Sequence, residues 1–308
     1  MQKYFYSHGK LLLTAEYLVL DGVTALALPT QKGQSLLVTE NETNAILWRS
    51  FDDQDNCWFT THLIPSGNTF IQAIKNPEPD IITTTLINIL TAAKALNPNF
   101  LSIEKGYYIE SKLEFNRQWG LGSSSTLINN IAQWAKVDAF TLLENSFGGS
   151  GYDIACAQRD TPILYQRNQN IPKITVADFN PIFKNHLFFI YLNQKQDSKA
   201  SIKHYQSLSL KDFDKAATII SEITSALVHC SSLNEFQKLI DLHENTISNI
   251  IKTPTIKSIL FPEYSGSIKS LGGWGGDFVL ATGSISDIDY FTSKGYSISI
   301  PYKEMILE

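Results

Sequence analysis

The segment Gly120-Leu121-Gly122-Ser123-Ser124-Ser125 sets two glycines ahead of three hydroxyls. Glycine lets a backbone come close to a ligand and adopt positive φ. Downstream, Leu127, Ile128, Ile131, Trp134 and Ala135 recur at helical spacing, which predicts that the serines open a helix. A helix start presents unpaired N–H groups and the positive end of the dipole, a geometry that suits phosphate. The hydroxyls of Ser123 to Ser125 can bond phosphate oxygens or a magnesium ion. A glycine turn followed by a serine N-cap fits the local sequence equally well. The segment is no Walker-type loop, because no lysine follows the glycines. Its glycine spacing is not that of a dinucleotide fingerprint, and neither His-Arg-Asp nor Asp-Phe-Gly occurs in the chain.

Two further glycine-rich segments carry charged residues. Phe147-Gly-Gly-Ser150-Gly151-Tyr-Asp153 leads into a predicted helix, and Gly272-Gly273-Trp274-Gly275-Gly276-Asp277 lies between two predicted strands. By local reading Asp153 is a helix-start carboxylate, Lys10 a solvated strand charge, Glu144 an exposed helix carboxylate, and Asp277 the residue that closes a turn. His243-Glu244 lacks the second histidine of a zinc-binding His-Glu-x-x-His helix, so His243 reads as structural.

These residues need elements to position them. Residues 3–6 and 10–14 read as extended. Tyr17-Leu-Val-Leu and Thr24-Ala-Leu-Ala-Leu flank Asp21-Gly22, a hairpin signal. Strands are expected at 35–39, 45–50, 57–63, 101–110, 162–166 and 186–192. A helix is expected from Pro79-Asp80 through Leu96, stopped by Asn97-Pro98, and another at 152–158. From about residue 195 the pattern changes to long helices, with stripes at Ile219, Ile220, Ile223, Ala226, Leu227 and at Phe236, Leu239, Ile240, His243, Ile247, Ile250. The tail at 285–300 reads as helix, then strand. A boundary is placed near residue 180, giving domains at 1–180 and 181–308.

The chain has 308 residues, 43% hydrophobic and 18% charged, enough to bury a sizeable core. A net charge of −5 gives no general attraction for nucleic acid or anionic lipid. No segment supplies the ~20 apolar residues needed to span a bilayer. Cys57, Cys156 and Cys230 are sparse and form no Cys-x-x-Cys pair, so they read as reduced core thiols of a cytoplasmic protein. The expected partner is a small-molecule substrate, with no nucleic acid and no membrane; self-association as a homodimer is left open.

Taken together, Gly9-Lys10-Leu-Leu-Leu-Thr-Ala15-Glu16-Tyr17, Gly120 to Ser125, Ser150-Gly151-Tyr-Asp153-Ile-Ala and Gly272 to Asp277 resemble, in order and spacing, the motifs of the GHMP kinases (named for galactokinase, homoserine kinase, mevalonate kinase and phosphomevalonate kinase). The Ser-Gly-x-Asp segment is similar to that of the mevalonate-pathway branch. The resemblance covers residues 9–277. It implies an α+β, two-domain architecture: an N-terminal ribosomal-protein-like α/β domain with a left-handed crossover that binds ATP, and a ferredoxin-like C-terminal domain. It implies a phosphotransferase that uses ATP and Mg2+ and acts on mevalonate or phosphomevalonate. Asp153 matches the catalytic aspartate and Lys10 the lysine beside it. Gly120, Leu121, Gly122, Ser123, Ser124 and Ser125 match the phosphate loop, with Ser124 on magnesium. Glu144, nine residues before Asp153, is the nearest match to the second magnesium ligand, at a spacing shorter than the family's. Glu16, Tyr17, Ser150, Gly151 and Gly273 match substrate-side positions. Lys195, in the polar loop Asn193 to Ser198, is a candidate for holding a substrate phosphate.

Several positions depart from the family pattern. Ser7-His8 replaces Ala-Pro, Ala15 replaces a glycine, Trp274 stands at a usually small position, and Asn116-Arg117-Gln118-Trp119 leads into the phosphate loop without proline. None removes a charge the chemistry needs, but Trp274 puts substrate shape in doubt. Arg117, beside the phosphate loop, reads as a surface arginine or as a phosphate contact. A kinase for a sugar or homoserine, a decarboxylating relative, and a non-catalytic nucleotide- or metabolite-binding relative are the competing readings.

Overall fold

The computed structural model describes residues 1–73, 80–101, 105–168, 171–208 and 212–307. They form two compact units whose segments interleave along the chain. The first comprises Met1–Gly9, Lys32–Arg117 and Gly122–Gln158; the second comprises Lys10–Gln31, Gln118–Leu121 and Arg159–Glu308. Strands β1 (Gln2–Leu12) and β2 (Ala25–Asn41) each begin in one unit and end in the other.

The first unit adds β3 (Ile46–Phe51), β4 (Cys57–Ser66), β5 (Thr69–Gln72), α1 (Ile81–Leu96), β6 (Gly106–Leu113), α2 (Ser123–Ala135), α3 (Ala139–Ser146) and α4 (Tyr152–Ala157). Its strands run in the order β5-β4-β3-β6-β2, and β1 also pairs with β2. β3 and β6 are parallel, so the chain crosses between them by way of α1. Alternation along the strands turns Trp48, Phe59 and Ile109 to one face, where they meet Leu86, Ile89 and Leu90 of α1, Ile128, Ile131 and Trp134 of α2, Leu142 and Leu143 of α3, and Ile154 of α4. Asp80 caps α1 by accepting the Ile82 N–H, and Asn97 ends the helix where expected. Part of that prediction, Pro79, lies outside the described residues, as do residues 102–104 of the expected strand at 101–110.

In the second unit β7 (Ile163–Gln166) pairs with the early part of β2 and with β8 (Lys173–Val176). There follow β9 (Leu187–Tyr191), α5 (Ser198–Ser207), α6 (Phe213–Val228), α7 (Leu233–Ile251), α8 (Ile256–Leu260), β10 (Ile268–Ser270), β11 (Phe278–Thr282), α9 (Ile288–Ser293), β12 (Ser299–Pro301) and α10 (Tyr302–Met305). The last four strands form an antiparallel sheet in the order β10-β11-β9-β12, with helices after its first and third strands in the chain. That is the ferredoxin-like arrangement. Both predicted apolar stripes are real: Ile220, Ile223 and Leu227 of α6, and Phe236, Ile240, His243 and Ile247 of α7, are buried. Among the described residues no helix is long and apolar enough to cross a membrane.

Two expectations are corrected. No hairpin forms about Asp21-Gly22. Leu18–Asp21 is a single 3-10 turn that buries Leu18 and Val19 and is ended by Gly22 at φ 87°. Ala15 and Tyr17, at φ 62° and 65°, break the extended path before it, so the first apolar run cannot become a strand. Cys57 is no core thiol either. It is exposed at the start of β4, whereas Cys156 and Cys230 are buried, and none of the three is in a disulfide.

Candidate active site

In the first unit α2 begins at Gly122, which takes the left-handed φ 88°, ψ 37°, and no side chain caps the helix. Its ladder opens with the Thr126 N–H on Gly122 O at 3.0 Å. The N–H groups of Ser123, Ser124 and Ser125 therefore precede the ladder, at the positive end of the dipole. Ser124 is exposed, Ser123 half-buried and Ser125 buried. The serine N-cap, one of the two readings of this loop, is not what forms, because the cap position belongs to Gly122.

A buried polar network fixes that helix start. The Thr126 hydroxyl donates to Gln34 Oε1 at 2.6 Å, and Asn130 Nδ2 to Gln34 O at 2.9 Å. Ser7 Oγ donates to Asn130 Oδ1 at 2.7 Å and accepts from Asn129 Nδ2 at 2.9 Å. Gln158 Nε2, just past α4, donates to Asn129 Oδ1 at 3.0 Å. Ser7, Asn129 and Asn130 are wholly buried, so each bond avoids the cost of an unpaired polar group. These bonds tie α2 to β1, β2 and the end of α4, and α4 packs on α2.

α4 begins at Gly151, φ 89°, again with no side-chain cap, and Asp153 lies in its first turn, half-buried. Ser150 is buried beside it in the chain. Ser124 and Asp153 thus stand in the first turns of two helices packed together. Glu144 lies on α3, whose buried residues are Ala139, Leu142 and Leu143, and is itself exposed. Among the described residues no three His, Cys, Asp or Glu side chains converge as a metal site. Arg117 stacks on Trp58, its guanidinium carbon 3.5 Å from the ring centroid.

The second unit gathers the other predicted residues around one that sequence reasoning passed over, Asp277. The Lys10 N–H donates to Leu121 O at 3.0 Å. Gly120, at φ 65°, lies against the Asp277 carboxylate so closely that a Cβ built there would sit 2.3 Å from its Cγ. Asp277 Oδ1 accepts the Gln196 N–H at 3.2 Å, and the Asp277 N–H donates to Gln194 O at 2.8 Å. Burial pushes the Asp277 carboxyl above the ordinary value, opposed by the Gln196 N–H and by the charges of Lys10 and Lys195. Lys195 itself is exposed. Gly273 O accepts from Ser201 Oγ at 3.1 Å, and Ser201 Oγ accepts from Gln196 Nε2 at 3.2 Å. Lys10, Gly120, Leu121, Lys195 and Gly273 are therefore one neighbourhood. An acid closing a glycine run was the only signal for Asp277 in the sequence, and turns commonly end that way.

Glu16 and Tyr17 turn apart. Glu16 is buried; it pairs with Lys269 and lies 3.4 Å from His243 Nε2. Lys269 also lies 3.1 Å from Glu244, which accepts from Ser270 Oγ at 2.6 Å. Tyr17 stacks on Tyr205 at 5.4 Å; burial pushes its hydroxyl up to about 12, opposed by a hydrogen bond with Ser201. Trp274 is buried at φ 48°, and its indole nitrogen has no partner among the described residues.

No protein-family model matches the chain, and no curated protein sequence does. Solved structures do. The Methanococcus jannaschii mevalonate kinase superposes with a TM-score of 0.68 at 13% identity, over 96% of this chain and 94% of that one. A Streptococcus pneumoniae phosphomevalonate kinase, in complex with phosphomevalonate and AMPPNP, gives 0.67 at 14% identity over 96% and 99%. A Lactococcus lactis galactokinase complexed with galactose gives 0.66 at 11% identity over 95% and 88%. The chain has the GHMP-kinase fold over nearly its whole length. A mevalonate diphosphate decarboxylase from Legionella pneumophila shares that fold too, at a TM-score of 0.59 and 12% identity.

Proposed function

We propose that this protein transfers the γ-phosphoryl group of ATP to a small metabolite of the mevalonate type, mevalonate or phosphomevalonate. The observation that carries the reading is the uncapped start of α2, opened by Gly122 in the left-handed region, with Asp153 in the first turn of the helix packed on it. Phosphoryl transfer asks a protein chiefly to position groups and stabilise charge. The Ser123–Ser125 N–H groups supply fixed donors for phosphate oxygens, and they need no reorganisation because the Gln34–Asn130–Ser7 network holds the helix start. Asp153, on this reading, orients the acceptor group. With an alcohol it takes the proton as oxygen bonds to the γ-phosphorus and the bond to the leaving ADP oxygen breaks.

Lys10 and Lys195 add positive charge on the side of Gly120, and we assign Lys195 to a substrate phosphate. Ser150, Gly151, Tyr17 and Gly273 are assigned to the substrate side. Glu16, being buried in an ion cluster, would act there by holding the Tyr17 turn in place. The exposed Ser124 hydroxyl is a chemically apt magnesium ligand, and Glu144 is exposed on α3 as the second candidate. Bound magnesium would screen the phosphate charge.

Incubation with Mg-ATP and a panel of mevalonate-pathway alcohols and phosphates is expected to release ADP in a substrate-dependent way. Asp153→Asn is expected to lower kcat by about 10²-fold or more with the fold intact. No ADP above background with any pathway substrate would reject this acceptor class. The same panel extended to sugars and homoserine, with carbon dioxide measured, separates the other activities found on this fold. Tight ATP binding without turnover on any acceptor would favour a binding protein, a reading motivated by Ala15 and Trp274.

A further inference from the structure

The Asp277 carboxylate occupies the space that a side chain at Gly120 would fill. It also lies 3.1 Å from a Cβ built on Gly272, accepts the Gln196 N–H, and is within electrostatic reach of Lys10 and Lys195. Three stretches of the second unit, at Gly120, at Gln196 and the glycine turn itself, thus meet at one buried acid. Closing a turn would not require a charge, since the Gln196 N–H needs only an acceptor and an amide oxygen would serve. A carboxylate against a turn proposed to serve phosphate binding works against anion binding, so its presence needs another reason. Lys10 and Lys195 lie within its electrostatic reach, and an acid can bias the direction of flexible ammonium groups.

We propose that Asp277 is a positioning residue for the phosphate site: its carboxylate, wedged against Gly120, sets where that turn lies and holds Lys10 and Lys195 toward it. The role at a phosphate site rests on the kinase reading above; the wedge itself does not. Asp277 acts through the turn and the lysines, and it touches no reacting atom.

Asp277→Asn keeps the shape and the acceptor for Gln196 while removing the charge. Binding of Mg-ATP, and of inorganic tripolyphosphate as a probe of the anion site alone, is expected to stay equal or tighten, because a negative charge has gone. kcat is expected to fall about tenfold or more, because the lysines lose their fixed direction. A purely structural role would instead lower affinity and melting temperature together, and that result would overturn the proposal. So would a kcat within about twofold of the parent. The wedge is read by a double-mutant cycle on melting temperature. Asp277→Gly suits the backbone, since residue 277 sits at φ 55°. Gly120→Ala is expected to lower the melting temperature strongly in the parent and less than half as much in the Asp277→Gly background. Equal losses in both would show that the two residues are not coupled and would overturn it. If both probes bind but no acceptor is phosphorylated, the kinase reading fails while the cycle and the anion affinities still decide this one. If neither probe binds, there is no phosphate site to position and the proposal falls.

Discussion

Glu16→Gln should change the pH dependence of stability more than stability itself. Glu16 is 1% exposed, and its carboxylate shares Lys269 with Glu244 while His243 stands on its other side. His243 is held well below its usual range by burial and by Lys269, and its Nε2 accepts the Ala15 N–H at 3.0 Å, so it stays neutral. Two carboxylates therefore face one ammonium. Burial pushes Glu16 from 4.5 up to about 7, with Lys269 opposing and Glu244 adding to the rise. A raised acid binds its proton more tightly in the folded state. Its contribution is complete below about pH 4.5 and is lost as pH rises through about 7. That interval, at 1.36 kcal/mol per pH unit, is worth ~3 kcal/mol. Glutamine keeps the size and an acceptor for Lys269 but cannot ionise. Urea unfolding of both proteins at about pH 5, 6, 7 and 8 should show the variant gaining on the parent by ~2.5 kcal/mol across the range. Taking the difference cancels the other titrating groups. Parallel curves, with a constant gap at every pH, would refute the reasoning.

Lys269→Met is expected to cost about 3–5 kcal/mol at pH 8, where both buried acids lose their counter-ion, and less at pH 5, where Glu16 is protonated. Restoring most of the loss by combining it with Glu16→Gln, in the same urea series, would confirm the pairing; a loss under about 1 kcal/mol would contradict it. Brief maleimide treatment of the native protein should label Cys57 and spare Cys156 and Cys230, as read by peptide mass spectrometry. Cys57 is exposed, and a hydrogen bond with Thr60 at 3.3 Å, followed by Arg49, holds its thiol below the usual range; Cys156 modified equally fast would count against the assigned burial.

What the sequence made legible was local. The helix after Gly120–Gly122, the two long stripes of α6 and α7 and the glycine turn between β10 and β11 follow from spacing over a few residues. The positions of Gly120 to Ser125 and of Asp153 at helix starts were legible for the same reason. The Glu16–Lys269 pair was not, because its members are 253 residues apart and each looks like any other charge. Asp277 was hidden similarly: its role depends on Gly120, and nothing in either residue's neighbours announces the other. The short elements β5 and β8 carry too few periodic positions to register. The 3-10 turn at Leu18–Asp21 was misread because its apolar run has no period of its own. The left-handed residues on either side of Glu16 decide its shape, and neither is a glycine.

That last point explains two departures from the family pattern. Ala15 and Trp274 stand where the resemblance expects glycine or a small residue, and both hold positive φ, 62° and 48°. Each thus takes a backbone conformation that glycine would adopt without strain, at a cost of roughly 1–2 kcal/mol per residue. Strain of that size persists only where surrounding bonds over-determine the conformation. At Ala15 they do: its N–H is fixed on a buried His243, and the next residue is anchored by Lys269. Around Trp274 the carbonyl of Gly273 is held by Ser201 and that of Gly275 by Gln194, so the loop has no freedom to relax. Both loops therefore bury a side chain at a left-handed position, a methyl and an indole, near Glu16, Tyr17 and Asp277 in the chain. At Ala15 the conformation is set by buried partners far away in the chain and not by a glycine.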